Sequence, residues 1–426
     1  MFETIKNAWK IGDLKKKLLI TMGLLLIYRL GSHLPVPGLI QEAFAAMTEG
    51  NQLFGFMDTF SGGAFSRASL FAMNITPYIN ASIIMNLLTV AIPALERMQK
   101  EGAEGRKKIQ QIVRYLAVAL GFFQAAMLYI SLGSYNAIFD GGTFVSFFII
   151  TLSFTAGTAF IMWLGENITE YGIGNGISLI IFAGIIARAP QGIASIWTYY
   201  KAGTLGNGLV GILGIVGILL VFTVSIVGVI YVTQAERRIP VQYAKRVVGR
   251  KMYGGQSTHL PMKVNMAGVI PIIFAMSITT LPSIVIGLAA PNTESKILIA
   301  LQQQGTLVHM TLMAMLIIFF AFFYTIIQFN PVEVANNMKK NGGFIPGIRP
   351  GKPTADYIAK VLNRITWFGG FFLAAVAVFP QIFGAIFGIN IWFGGTALLI
   401  VVGVALDTVK QIESQMLMRH YKGFLD

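Results

Sequence analysis

The 426 residues include no cysteine, which excludes a disulfide framework, thiolate catalysis and cysteine-ligated metal sites. Charge is scarce as well. Only 12% of the residues are Asp, Glu, Lys or Arg, against about a quarter in a soluble globular domain. The four histidines, His33, His259, His309 and His420, are scattered and form no His-Glu-x-x-His pair or other metal-ligand spacing. Acids are missing where transport or proteolysis would need them. Glu166, Glu170 and Asp407 stand at the ends of apolar stretches, and no Asp or Glu falls near the centre of one. Ion-coupled transporters and intramembrane proteases place ionisable groups at that depth. Their absence counts against an ion-coupled solute transporter and against an enzyme.

What is present is apolar. Hydrophobic residues make up 55% of the chain, and its mean hydropathy is +0.68. A membrane-crossing helix needs roughly 20 mainly apolar residues. Ten such stretches can be marked, at residues 18–36, 71–92, 112–132, 144–164, 176–197, 209–232, 264–288, 307–329, 365–387 and 391–409. The fold class predicted is an all-α polytopic membrane protein. Lys6, Lys10, Lys15, Lys16 and Lys17 ahead of the first stretch resemble the start of a signal peptide. No small-x-small cleavage site follows, so the stretch is read as a retained span.

The formal net charge is +14, which in a soluble chain would suggest nucleic-acid binding; here its placement matters more. Of 32 Lys and Arg, 27 lie in the two tails, the second-to-third connector with its flank, and connectors 233–263 and 330–364. The opposite side carries Arg67, Arg188, Lys201 and Lys296, and Arg29 lies inside the first stretch. Cytoplasmic loops retain basic residues, so both termini are expected in the cytoplasm. Arg29 is expected to pair with a polar group or reach toward the outer interface.

Connectors 233–263 and 330–364 are long and basic, read either as solvated loops that fix topology or as docking platforms for an acidic partner surface. Segment 53–65 is semi-apolar and too short to span. It would be re-entrant, interfacial or ordinary loop packing, with Gly62 and Gly63 letting it bend.

Two glycine-rich strings are decoys. Gly172-Ile173-Gly174-Asn175-Gly176 lacks the strand, the spacing and the downstream acid of a dinucleotide fingerprint, and reads as a tight turn or close helix approach. Gly347-Ile348-Arg349-Pro350-Gly351-Lys352 is one residue short of a phosphate loop, with Pro353 where a Ser or Thr is required. Energy from ATP would have to come through a partner. The residues alone leave a passive channel or a scaffold.

Several ordered strings carry a resemblance. They include Tyr28-Arg29-Leu30-Gly31-Ser32-His33-Leu34-Pro35-Val36-Pro37-Gly38, Phe60-Ser61-Gly62-Gly63-Ala64 and Pro77-Tyr78-Ile79-Asn80-Ala81-Ser82. Further along come Tyr171-Gly172-Ile173-Gly174-Asn175-Gly176, Gln256-Ser257-Thr258-His259-Leu260-Pro261, Phe344-Ile345-Pro346-Gly347-Ile348-Arg349-Pro350-Gly351 and Phe393-Gly394-Gly395-Thr396. In order and spacing, the chain resembles the bacterial SecY family over essentially its whole length.

The resemblance implies two pseudo-symmetric five-helix halves, residues 18–200 and 201–409, between cytoplasmic tails 1–17 and 410–426. A central pore would open sideways through a lateral gate formed by spans two, three, seven and eight. It implies a pore ring of Ile75, Ile79, Ile181, Ile273 and Ile400. A plug at 53–67 would include Phe56, Phe60, Ser61, Gly62, Gly63, Ala64 and Phe65. Asn74, Thr76 and Asn80 depart from the commonest pattern and would wet the constriction if they face it. Arg349 would couple to the SecA ATPase, and Arg250 with Lys251 would contact the ribosome; Arg237 and Arg238 are secondary docking candidates. The partners implied are SecE, SecG, SecA, the ribosome, unfolded signal-bearing polypeptides and lipid of the bacterial plasma membrane, with no cofactor and no direct DNA binding.

Overall fold

The computed structural model describes residues 2–50, 52–134, 137–139, 142–203, 208–243, 246–248, 251–253, 257–289, 306–387 and 394–422. In chain order its helices are α1 (Phe2–Lys10), α2 (Gly12–Gly31), α3 (Gln41–Gly50), α4 (Gln52–Ser61), α5 (Thr76–Ala91), α6 (Pro93–Lys100), α7 (Ala103–Ser134) and α8 (Phe144–Tyr171). They continue with α9 (Gly176–Lys201), α10 (Leu209–Gln234), α11 (Ile270–Ala289), α12 (Leu307–Gln328), α13 (Pro331–Lys340), α14 (Lys352–Phe387) and α15 (Gly395–Lys422). Among the described residues seven elements, α7 to α10, α12, α14 and α15, are individually long and apolar enough to cross a membrane. An eighth is α5 with α6, bent by 101° at Pro93, whose ring and missing N–H break the helical ladder.

The helices of each half pack largely in sequence. In the first half α5 lies on α7, α7 on α8 and α8 on α9, with α2 against α8 and α9. In the second, α11 lies on α12, α12 on α14 and α14 on α15, with α10 against α15. The halves meet along two seams, α11 against α5 and α7, and α9 against α15 and α10. α10 is apolar all round, with mean hydropathy 2.8 and only 11% of its most apolar window buried by protein, as a helix facing lipid should be.

Lipid gives apolar helix faces no reason to pair, so helices in it associate by close packing. The turn between α8 and α9 shows how. Asn175 caps α9 by accepting the N–H groups of Ile177 and Ser178, and the Gly176 N–H donates to Thr169 Oγ1 at 2.9 Å. A Cβ on Gly176 would run into the Gly165 carbonyl oxygen. The glycines of this string therefore serve a turn and a close approach of two helices.

The elements differ from expectation in three ways. First, helix ends shift: α2 stops at Gly31 within the stretch at 18–36, and the stretch at 264–288 becomes helical only at Ile270. The stretch at 71–92 becomes helical only at Thr76, because Asn74 sits at φ +51 and Pro77 occupies the first turn. The stretch at 365–387 belongs to a helix that begins at Lys352 and runs for 36 residues, about 54 Å at 1.5 Å per residue, well beyond a hydrocarbon core of about 30 Å. α7 and α15 likewise run past their apolar stretches, since hydropathy marks where a helix meets lipid rather than where it ends.

The third difference lies in the two long basic connectors, which are built rather than loose. β1 (Glu236–Tyr243) pairs antiparallel with β4 (Ser257–Lys263), and β2 (Arg246–Val248) pairs with β3 (Lys251–Tyr253). From the other connector, β5 (Gly343–Phe344) adds to the far end of β1, giving the order β4-β1-β5. Ile239 and Val241 alternate inward and meet Met262, Met338, Ile345, Ile358 and Leu362 in a separate small core. β5 pairs only with Gln242 and Tyr243, which leaves β1 beside Pro240 unpaired on that edge, the kind of place where a strand tolerates proline.

Candidate pore constriction

All five isoleucines of the expected ring line one cavity of about 50 Å³. Ile75 caps the start of α5 and Ile79 lies one turn on, its N–H donating to the Ile75 carbonyl at 3.1 Å. Ile181 comes from α9, Ile273 from α11 and Ile400 from α15, so both halves contribute. Ile75, Ile181 and Ile400 are fully buried, within a core shared with Phe274, Phe320 and Leu399. Met57 and Phe60 of α4 also line the cavity, closing it toward the end of the bundle that α4 occupies.

Two of the three polar residues around the ring face the same space. Asn74 and Thr76 line the cavity with Ser277, whereas Asn80 does not. Asn74 adopts the left-handed region that Asn tolerates better than most residues, and its Nδ2 donates to the Phe60 carbonyl at 2.7 Å. That bond satisfies a carbonyl at the C-terminal end of α4, where no intrahelical N–H is available. Among the described residues the buried Asn74 Oδ1 has no partner, and neither have the two amide atoms of Asn80.

Segment 53–67 is folded into the protein. α4 packs on α9, and the turn after it uses positive φ at Gly62 (+68) and Gly63 (+84). Ser61 Oγ donates to the Asp58 carbonyl at 3.1 Å and accepts the Phe65 N–H at 3.1 Å. Phe65 is buried between Phe44 and Phe54, with ring centroids at 5.3 and 5.4 Å, and Ala64 is fully buried. Phe60 faces the cavity; the side chain of Phe56 lies outside the described residues.

Reading the sequence missed the ionic contact beneath this turn. Asp58 pairs with Arg188 of α9; the Asp58 side chain is buried and that of Arg188 largely so. Asp58 escaped notice because it belongs to no span, and Arg188 because it was counted with the outer connectors. The expectation of an uncharged bundle interior is thus corrected by one buried ion pair. A basic residue interrupting an apolar stretch, opposite the one acid of a short apolar segment, was the available signal. Arg29 finds the polar partner expected of it, donating through Nη1 to the Gly62 carbonyl at 2.8 Å.

The docking candidates lie on the built connectors. Arg237 and Arg238 are exposed neighbours on β1, and Arg349 is exposed in the turn leading into α14, where its carbonyl accepts from Thr354 Oγ1 at 2.8 Å. Lys251 belongs to β3, and Arg250 lies outside the described residues.

The family model for SecY matches residues 69–409. The chain belongs to the SecY family. The protein translocase subunit SecY of Streptomyces coelicolor is 46% identical over 100% of both chains. That of Halalkalibacterium halodurans is 48% identical, again over 100% of both. Among solved structures, one of a protein-conducting channel and one of a SecY protein whose plug domain stabilises the closed state each superpose with a TM-score of 0.64. Each is 20% identical, covering 94% of this chain and 92% of the other. Sec61 in the canine ribosome–channel complex gives 0.59 at 19% identity, with the same coverage. The fold is that of these ten-helix channels with a central pore, and a SecY-family chain is the channel subunit of a translocase rather than an enzyme.

The bond from Asn74 to Phe60 generates a test. Asn74→Gly keeps the backbone conformation but removes the amide, and should weaken the seating of α4 by about 1 kcal/mol. With Phe60→Cys as the sole thiol of this cysteine-free chain, labelling at position 60 should speed up about fivefold. An unchanged rate would show that the amide does not hold the helix.

Proposed function

We propose that this chain passes unfolded secretory polypeptides through the collar of Ile75, Ile79, Ile181, Ile273 and Ile400, and releases apolar segments sideways into lipid between α5 with α7 and α11 with α12. The observation that carries this reading is the convergence of those five side chains, from four helices and both halves, on one small cavity. A narrow space walled by branched aliphatics dewets and excludes ions when empty. The same side chains have no fixed partners and yield around a polypeptide of any sequence. Asn74 and Thr76 reduce the dryness of the wall and tune how readily it wets.

Segment 53–67 is the plug on this reading, seated through Phe60 over the collar. The membrane is the bacterial plasma membrane, with both termini cytoplasmic, as the distribution of Lys and Arg supports. SecE and SecG complete the channel. Because the chain has no nucleotide motif, the driving force comes from SecA or the translating ribosome. The Sec61 relative in a ribosome–channel complex supports the latter. Arg349 couples to SecA from its exposed turn, while Arg250 and Lys251, with Arg237 and Arg238 on β1, offer the ribosome positive charge; guanidinium groups pair bidentately with carboxylate or phosphate.

The test is a vesicle reconstitution with SecE, SecG and SecA. Ile79→Gly combined with Ile273→Gly should raise resting ion conductance several-fold, and a conductance equal to the parent's would remove those residues from the pore wall. Arg349→Glu should abolish SecA-driven export while the channel still inserts at normal levels. Full export by that variant would detach the loop from the motor.

A further inference from the structure

The turn at Gly62 and Gly63 is surrounded by guanidinium groups. Arg29 reaches the Gly62 carbonyl. Positions for Cβ atoms built on the two glycines lie 3.3 Å from Arg29 at Gly62, and 3.4 Å from Arg188 and 3.5 Å from Arg67 at Gly63. Arg67 is exposed and tied to His33 Nε2 at 3.0 Å. Asp58 is the acid that pairs with any of the three among the described residues.

Its carboxylate is tightly held. Besides Arg188 it accepts the Ser66 N–H at 2.7 Å through Oδ1. Arg188 reaches Gln191 through Nη1 at 2.5 Å and Ser66 Oγ through Nη2 at 3.4 Å. The Asp58 and Arg188 side chains are 4% and 12% exposed. Asp58 rides on α4 and Arg188 on α9, one of the helices that supply the collar, so α4 cannot leave the bundle without separating the charges.

We infer that the Asp58–Arg188 pair is a latch that sets how strongly apolar a signal segment must be to open the channel, a specificity role that rests on the channel reading above. Apolar contacts between α4 and the collar are non-directional and are easily exchanged for contacts with an entering polypeptide. The ion pair has no such substitute. Closed, each charge is satisfied by the other away from water. Open, both must be hydrated, and an inserting segment has to supply the difference. Removing one partner leaves the other buried and unpaired, which penalises the closed state alone. The open state therefore gains population, and weaker signal segments suffice.

The experiment uses the full channel complex in planar bilayers, with export of a reporter bearing a shortened apolar signal as a second readout. Asp58→Asn and Arg188→Gln should each raise resting conductance by at least about tenfold and admit the weak signal. The doubly neutral variant should exceed neither single one, and Asp58→Arg with Arg188→Asp should return most of the way to the parent. The Ile79→Gly with Ile273→Gly variant runs alongside. If it leaks while both neutral variants conduct like the parent, the latch is wrong and the channel reading stands; if nothing leaks, both fall. Additive singles with no recovery on reversal also overturn the latch. Should the neutral variants fail to accumulate, Asp58→Cys with Arg188→Cys, joined by a cleavable thiol cross-linker, decides instead. Export should stop when linked and resume on cleavage, and undiminished export in the linked channel would refute the proposal.

Discussion

Everything in this structure turns on bringing five isoleucines, three of them from widely separated parts of the chain, to one cavity between two helical halves. Ile75 comes from the cap of α5 and Ile79 from its first turn, while α9, α11 and α15 each supply one. Such a collar closes only if four helices are held at fixed depth and rotation. Lipid offers no hydrophobic drive for that, so the positions are set by backbone contacts. Gly165 against Gly176 locks the start of α9, Gly184 admits the Phe60 carbonyl beside α9, and Gly395 sits against the Val376 carbonyl at the start of α15. Small residues at these points place Ile181 and Ile400 as surely as the isoleucines themselves fill the space.

Polar and ionic contacts then do what apolar packing in a membrane cannot. The end of α4 is tied by Asn74 to Phe60, by Tyr28 to Ser61, by Arg29 to Gly62 and by Arg188 to Asp58. A neutral hydrogen bond of this kind contributes about 1 kcal/mol, and breaking a buried ion pair from one side costs about 3–5 kcal/mol. These bonds add direction to the apolar packing of Phe54 and Phe65 against Phe44. At the other end of the molecule, β1, β4 and β5 with α13 and the start of α14 make a small conventional core around Ile239, Met262 and Leu362. Exposed Arg237, Arg238 and Arg349 are thereby presented from a rigid base instead of two loose loops.

Much of this was readable beforehand. Uninterrupted apolar runs such as that of α10 announce themselves by composition. The helix start at Thr76 was hidden because Phe71, Ala72 and Ile75 are as apolar as the helix that follows, while Asn74 and Pro77 set the backbone. The sheet was hidden because its alternation is short and broken by Pro240 and Pro261, and β5 joins β1 from about 100 residues away. For the constriction, periodicity could place Ile75 and Ile79 on one face but gave no reason to join them to Ile181, Ile273 and Ile400. That grouping came from family resemblance, and the geometry brings the five together. The Asp58–Arg188 pair left one signal, a base interrupting an apolar stretch and a lone acid in a short apolar segment, but nothing in the sequence joined the two until the fold set them side by side.

The collar as the passage for polypeptide is tested most directly by arresting a secretory chain midway and asking what it touches. A photoreactive residue placed at Ile181 or Ile400, on helices from opposite halves, should cross-link in high yield to the arrested chain over a narrow window of its sequence. A photoreactive residue at exposed Leu213 or Leu220 of α10 should label lipid. Cross-links to lipid from the collar positions, or none to the arrested chain, would contradict the account.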